Sequence, residues 1–176
     1  MLIDPIIILI SKIIIAGLFF HAGLHKARDI LEFQKVLMNY GVMGGLIKPT
    51  SFFIATGEII LAACIFINGN LAMMVAGGIL GFYTLLLAYN YLSGRRIDCG
   101  CSFGRQDEQI GRWHIVRNVV LLSVVGINAL PVIERALVWL DYSTAIFASL
   151  VIGMIFLIIE QLNINHHYFN RIRNAS

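Results

Sequence analysis

Five runs of apolar residues, most of them close to the length that crosses a lipid bilayer, constrain this chain more than any other feature. They cover about 5–24, 51–67, 71–92, 114–130 and 142–162. Charged residues make up only 13% of the chain and mean hydropathy is +0.82, against about 25% charged in an ordinary soluble domain. In hydrocarbon every backbone polar group must be bonded within the chain, so such runs are helices. The expected fold is all-α: a polytopic membrane bundle of about five transmembrane helices, a four-helix core plus one. Residues 1–176 are expected to form a single domain, because the polar stretches, at most about 20–25 residues, leave no room for a soluble one. Pro5, Pro49 and Pro131 fall at the edges of the runs, where a missing N–H costs little. Asp4 stands where a secretory signal carries bases, and Lys12 can snorkel, so the first run reads as a permanent span.

Between the first two runs, Ile30, Phe33, Leu37 and Tyr40 share one helical side and Glu32, Lys35 and Asn39 the other. This predicts an amphipathic helix on the membrane surface or over the mouth of the bundle, ended by the Gly41–Gly45 stretch. Asn68-Gly69-Asn70 predicts a tight turn between the second and third spans. Ala55, Gly57, Ala62, Ala63, Ala76, Gly77, Gly78 and Gly81 are small enough for close helix contact. Most basic residues fall on one side of such a bundle, among them Lys26, Lys48, Arg95, Arg96, Arg105 and Arg171. The positive-inside rule makes that side cytoplasmic, unless the arginines are there for chemistry.

That side also carries Cys99-Gly100-Cys101, in a polar segment with Arg95, Arg96 and Arg105. One intervening glycine allows the sulfurs to meet in a small, strained ring, and strained exposed disulfides are the reducible ones. Neighbouring arginines favour the thiolate. His21, His25, Lys26, Glu58, Tyr89, Asn90, His114, Arg117 and Asn118 come from helix ends that converge there. Glu58 is the sharpest of them, since a carboxylate inside a bilayer must be neutral or paired. Its expected partners are His21, His25, Arg117 or Asn118, either for proton relay or as a packing clamp. The residues expected to carry chemistry are thus Cys99, Cys101, Glu58, His21, His25 and Arg117. A rival reading takes Cys99, Cys101, His21 and His25 as four ligands of a soft metal carried across the bundle. A third is a non-catalytic assembly factor. Cys64, deep in the second run, reads as inert filler.

Two stretches resemble the MauE family (methylamine utilisation protein MauE) of the wider DoxX-like membrane superfamily. One is Phe20-His21-Ala22-Gly23-Leu24-His25-Lys26-Ala27-Arg28-Asp29, with Phe33 and Asn39-Tyr40 following. The other is Asp98-Cys99-Gly100-Cys101-Ser102-Phe103-Gly104, followed by Trp113, Arg117-Asn118 and Leu121-Leu122. Glu58 sits where the superfamily often has an acid, and Ser102 departs from a pattern in which Phe-Gly follows the second cysteine directly. The resemblance implies a multi-pass protein of a bacterial inner membrane. It would exchange thiols with a thioredoxin-like redox partner to mature disulfide-rich periplasmic clients, the methylamine dehydrogenase small subunit being the namesake client. No cofactor and no nucleic-acid partner are expected.

Overall fold

The computed structural model of the chain describes residues 3–67, 69–93 and 112–173, and these form helices joined by short connections. In chain order they are α1 (Pro5–Arg28), α2 (Ile30–Asn39), α3 (Gly44–Ile67), α4 (Gly69–Leu92), α5 (Arg112–Ile127) and α6 (Trp139–Arg173). The all-α polytopic bundle expected from the sequence is the observed class. The one β contact among the described residues is an isolated bridge between Ile3 and Val132.

Four helices are long and apolar enough to cross a membrane: α1, α3, α4 and residues 139–162 of α6. Each of these stretches is 24 residues, about 36 Å at 1.5 Å per residue. The run expected at 114–130 forms the shorter α5, with 16 residues and about 24 Å of rise. It stops at Ile127 because Asn128 turns its side-chain amide back onto the Val124 carbonyl, at 3.1 Å, and across to Ser11 Oγ, at 2.8 Å. Pro131 then bars continuation.

The helix ends differ from expectation in two places, for local reasons. The first helix runs on to Arg28, since nothing between Leu24 and Asp29 breaks it. The third helix starts at Gly44, which puts Pro49 inside it rather than at its edge. Pro49 is the sixth residue and removes one N–H from the ladder. It is exposed there, so the carbonyl it leaves behind is not sealed in apolar surroundings.

α1 is the centre of the assembly and packs against α3, α4, α5 and α6, while α4 packs on both α3 and α5. The core joins Ile15, Ala16 and Phe19 to Leu61, Ala62 and Ile65, to Ala72, Met73, Ala76 and Leu80, and to Leu121. Of the small residues expected at contacts, Ala55, Ala62 and Ala76 are buried, and a Cβ on Gly77 would lie 2.9 Å from Val125. Gly57 and Gly78 face open space instead.

α2 behaves as its periodicity predicts. Phe33 and Leu37 are buried, Glu32, Lys35 and Asn39 are exposed, and Gln34 donates to Ser51 at the start of α3. The helix therefore covers one end of the bundle. Gly41 supplies the positive φ, +85°, that turns the chain into α3.

The opposite end is closed by the N-terminus. Ile3 exchanges backbone hydrogen bonds with Pro131 and Ile133, and Arg135 binds both Asp4 and Asp141. Asp4 also caps α1 by accepting from the Ile6 N–H at 2.9 Å. That bond, and then Arg135, hold its carboxyl below the usual range.

The tightest helix contact is at Gly23, where an added Cβ would come within 2.8 Å of the Ala55 carbonyl oxygen and of Ile59 Cγ1. Gly23→Ala should push α1 from α3 and destabilise the bundle by about 1–3 kcal/mol. Gly17→Ala, on the same helix with nothing within 4 Å, should be neutral or slightly stabilising. Denaturant unfolding in detergent micelles measures both.

Candidate functional site

The end covered by α2 gathers the C-termini of α1 and α4 and the N-termini of α3 and α5. Cys99 and Cys101, with Arg95, Arg96 and Arg105, belong to the segment joining α4 to α5 and lie outside the described residues.

Glu58 is buried, with 3% of its surface exposed. Its Oε1 accepts hydrogen bonds from Lys26 Nζ and from the Tyr83 hydroxyl, the latter at 2.8 Å. The carboxylate is therefore paired, but not with the partners expected from the sequence. Neither histidine, nor Arg117, nor Asn118 bonds to it. The reason is the rotational phase of α1. Phe19, Gly23 and Lys26 form its inward face, and the close approach at Gly23 carries the next turn of α1 over Glu58. His21 and His25 lie at other angles around the helix and are exposed, with ring centroids 6.4 Å apart. No third imidazole, thiol or carboxylate joins them among the described residues.

The Lys26 ammonium is enclosed on other sides by aromatic rings, 5.1 Å from the centroid of Tyr83 and 5.4 Å from that of Phe33. Such contacts partly replace lost hydration for a buried cation. Phe33 comes from α2, so the surface helix forms part of the wall around the ion pair. Glu58 Oε2 has no hydrogen-bond partner among the described residues.

A second buried pair lies in the same half of the bundle. Arg117, in the second turn of α5, donates to Glu160 of α6 at 2.9 Å. The two side chains are 6% and 4% exposed. The backbones of α5 and α6 do not pack on each other, so long side chains span the gap between them. His114 and Asn118 are buried on α5, and Asn90 is buried on α4 with its amide bonded to the Leu86 carbonyl. Tyr89 is 62% exposed and takes no part in this interior.

Glu160 and Tyr83 are the residues that the sequence reading passed over. Glu160 carried a usable signal, since it is the single acid of the 142–162 run, as Glu58 is of 51–67. Tyr83 carried none, because a tyrosine in an apolar helix is ordinary.

Chemically, the interior at this end offers two desolvated ion pairs, one extended by a phenol. Buried pairs add little net stability, because desolvating both charges offsets their attraction. Both are nevertheless held inside a membrane protein, where ionisable groups mark functional sites by default.

The family model for methylamine utilisation protein MauE matches residues 4–133. Curated relatives are similar over most of their length. A methylamine utilization protein MauE of Paracoccus denitrificans is 29% identical over 127 residues, covering 70% of this chain and 68% of that protein. One of Paracoccus versutus is 28% identical over 158 residues, or 87% and 85%. One of Methylophilus methylotrophus is 26% identical over 166 residues, or 88% and 84%. No solved structure matches the chain.

The Lys26–Glu58 geometry implies strong coupling. Lys26→Met or Glu58→Leu alone should cost about 3–5 kcal/mol, since each strands a buried charge. The double variant should recover most of that loss. A double-mutant cycle in micelles, read by reversible unfolding, gives the coupling energy directly.

Proposed function

The chain belongs to the MauE family, and from that premise we propose that it is a membrane thiol–disulfide redox protein of the bacterial inner membrane. It supports maturation of disulfide-containing periplasmic proteins, among them enzymes of methylamine utilisation, and works with a thioredoxin-like partner. The observation that carries this reading is the buried Lys26–Glu58 pair, joined by the partly buried Tyr83, in the half of the bundle from which the cysteine segment departs. Proton-bearing side chains at the end of the bundle to which the cysteine-bearing segment is joined in sequence suit a reaction in which electrons and protons move together.

The exchange runs through the usual mixed disulfide. The thiolate of Cys99 or Cys101 attacks one sulfur of a partner disulfide. A new S–S bond forms between the proteins as the partner's own bond breaks and its second sulfur leaves as thiolate. The remaining cysteine, deprotonated, attacks the mixed disulfide and releases the partner as a dithiol. The CGC pair is then oxidised by two electrons and the partner reduced by two, and the reverse sequence returns both. Arg95, Arg96 and Arg105 favour the attacking thiolate. Glu58, with Lys26 and Tyr83, takes up and returns protons, and His21, His25 and Arg117 serve as polar groups of the same end. For a periplasmic client this end faces the periplasm, and its basic residues are there for chemistry rather than to set topology.

Purified protein under mild oxidant should form an intramolecular Cys99–Cys101 disulfide, detected by mass-resolved alkylation, and the reduced thiols should react rapidly near neutral pH. Thiols that remain free with ordinary reactivity contradict the redox reading. In intact cells both cysteines should label with a membrane-impermeant thiol reagent; labelling only after lysis contradicts the periplasmic orientation.

Glu58→Gln keeps the shape and most hydrogen-bonding capacity of the side chain while removing proton exchange. That variant should insert and fold yet lose most client maturation. A silent Glu58→Gln beside a destabilised Glu58→Leu would assign the residue to packing alone.

A further inference from the structure

We propose that Glu160 is a positioning residue for the thiol–disulfide exchange, a role that rests on the redox reading above. By holding Arg117 it fixes the first half of α5, and with it the point at which the cysteine-bearing segment rejoins the bundle. Glu160 lies beyond residues 4–133, which the family model matches, so membership of the family gives it no role.

The two halves of α5 are held in different ways. Leu121 belongs to the apolar core, and Leu122, Val124 and Val125 pack against it. Asn128, just past the helix end, is tied to Ser11 of α1. Among the described residues none of 112–120 joins that core, and the buried side chains there are those of His114, Arg117 and Asn118. Apolar packing therefore sets the second half of the helix, and directed polar contacts set the first. The segment from α4 ends where that first half begins, so the placing of the half decides where the segment re-enters.

Glu160 supplies such a contact from a fixed base. Among the described helices α6 packs on α1 alone, and α5 on α4 and α1. The start of α6 is held through Asp141, which binds Arg135 and accepts from the Val138 N–H at 2.9 Å. Ala145 and Ser149 continue its buried side towards Glu160. Across the gap Arg117 Nη1 donates to Glu160 Oε1 at 2.9 Å. Arg117 Nε has no partner among the described residues, which leaves the bond to Glu160 to orient the guanidinium. An apolar pair of similar size would fill the space at no loss of stability. It would fix neither distance nor direction.

The test uses the full reduced chain in detergent, with oxidised thioredoxin as the probe disulfide and iodoacetamide as a small thiol reagent. The double variant Arg117→Met with Glu160→Leu removes the pair without stranding a charge, and should unfold at the same denaturant concentration as wild type. It should exchange with thioredoxin about tenfold more slowly, the cost of lost orientation. Its reaction with iodoacetamide, which needs no docking geometry, should keep the wild-type rate and pH midpoint. Amide hydrogens of residues 116–120 should exchange faster in it, and those of α3 should not. Glu160→Gln keeps an acceptor for Arg117 at the same reach and should exchange within about twofold of wild type. Arg117→Lys, which keeps the charge but loses the planar fork, repeats the comparison in a milder variant and should slow exchange about threefold. Wild-type exchange in the folded double variant, or in Arg117→Lys, assigns the pair to packing and overturns the proposal. A Glu160→Gln as slow as the double variant overturns it too, in favour of a charge or proton-transfer role. A wild type that does not exchange at all overturns the redox reading and this role with it, whereas the other results leave that reading standing.

Discussion

The approach of α1 to α3 at Gly23 is the contact on which the rest of the cysteine end depends. With no Cβ there, the helix backbones come close enough for Lys26, one turn further on, to reach Glu58. Any larger residue would widen the gap, and a lysine stretched across it could not hold both Glu58 and its place between two rings. Tyr83 then brings α4 into the same cluster and Phe33 brings α2. One missing methyl group thus couples four helices. The dependence runs one way, because apolar packing around Phe19 and Ile65 would hold α1 and α3 without the ion pair, whereas the ion pair cannot form without the packing.

The two ends of the bundle meet the same electrostatic demand in different ways. At the N-terminal end the charges of Asp4 and Arg135 are partly exposed, about 40% each, and share their interactions with headgroup-level water. Such pairs contribute little. At the cysteine end, Lys26, Glu58, Arg117 and Glu160 are almost wholly enclosed. A bundle needing only to stay folded could replace those four with apolar residues at no loss. Stability alone therefore does not account for their burial, which supports the proton-handling role proposed for this end.

Much of the architecture was legible because a bilayer leaves the backbone so few options. Apolar runs had to be helices, and the period of residues 30–40 had to place Phe33 and Leu37 on one side. Helix ends were read less well, since hydropathy reports where a helix enters lipid and not where its ladder stops. Hence α1 continues through polar residues to Arg28 and α3 begins ahead of Pro49. Glu58 was found because a lone acid in an apolar run is conspicuous. Its partner was missed because Lys26 reads as one more basic residue at a helix end, and the rotation of α1 against α3 is a tertiary property that no local pattern encodes. Arg117 was picked out, but for the wrong acid, since Glu160 comes from a helix distant in sequence.

What distinguishes a clamp from a proton-handling group at Glu58 is the use of its two oxygens. A clamp gains most when both are saturated, as an orphan acceptor in a sealed interior costs about 1–3 kcal/mol. Here Lys26 and Tyr83 converge on Oε1, while Oε2 has no partner among the described residues. Two donors on one oxygen and none on the other is poor economy for packing. It leaves a position where a proton or a donor can arrive without any existing bond having to break. Tyr83 adds a hydroxyl that can rotate, donating to Glu58 in one setting and accepting in another. For the proton-handling role proposed for Glu58, such an arrangement would need little displacement of heavy atoms, and in a lipid-embedded protein small displacement is what keeps a buried charge from meeting hydrocarbon.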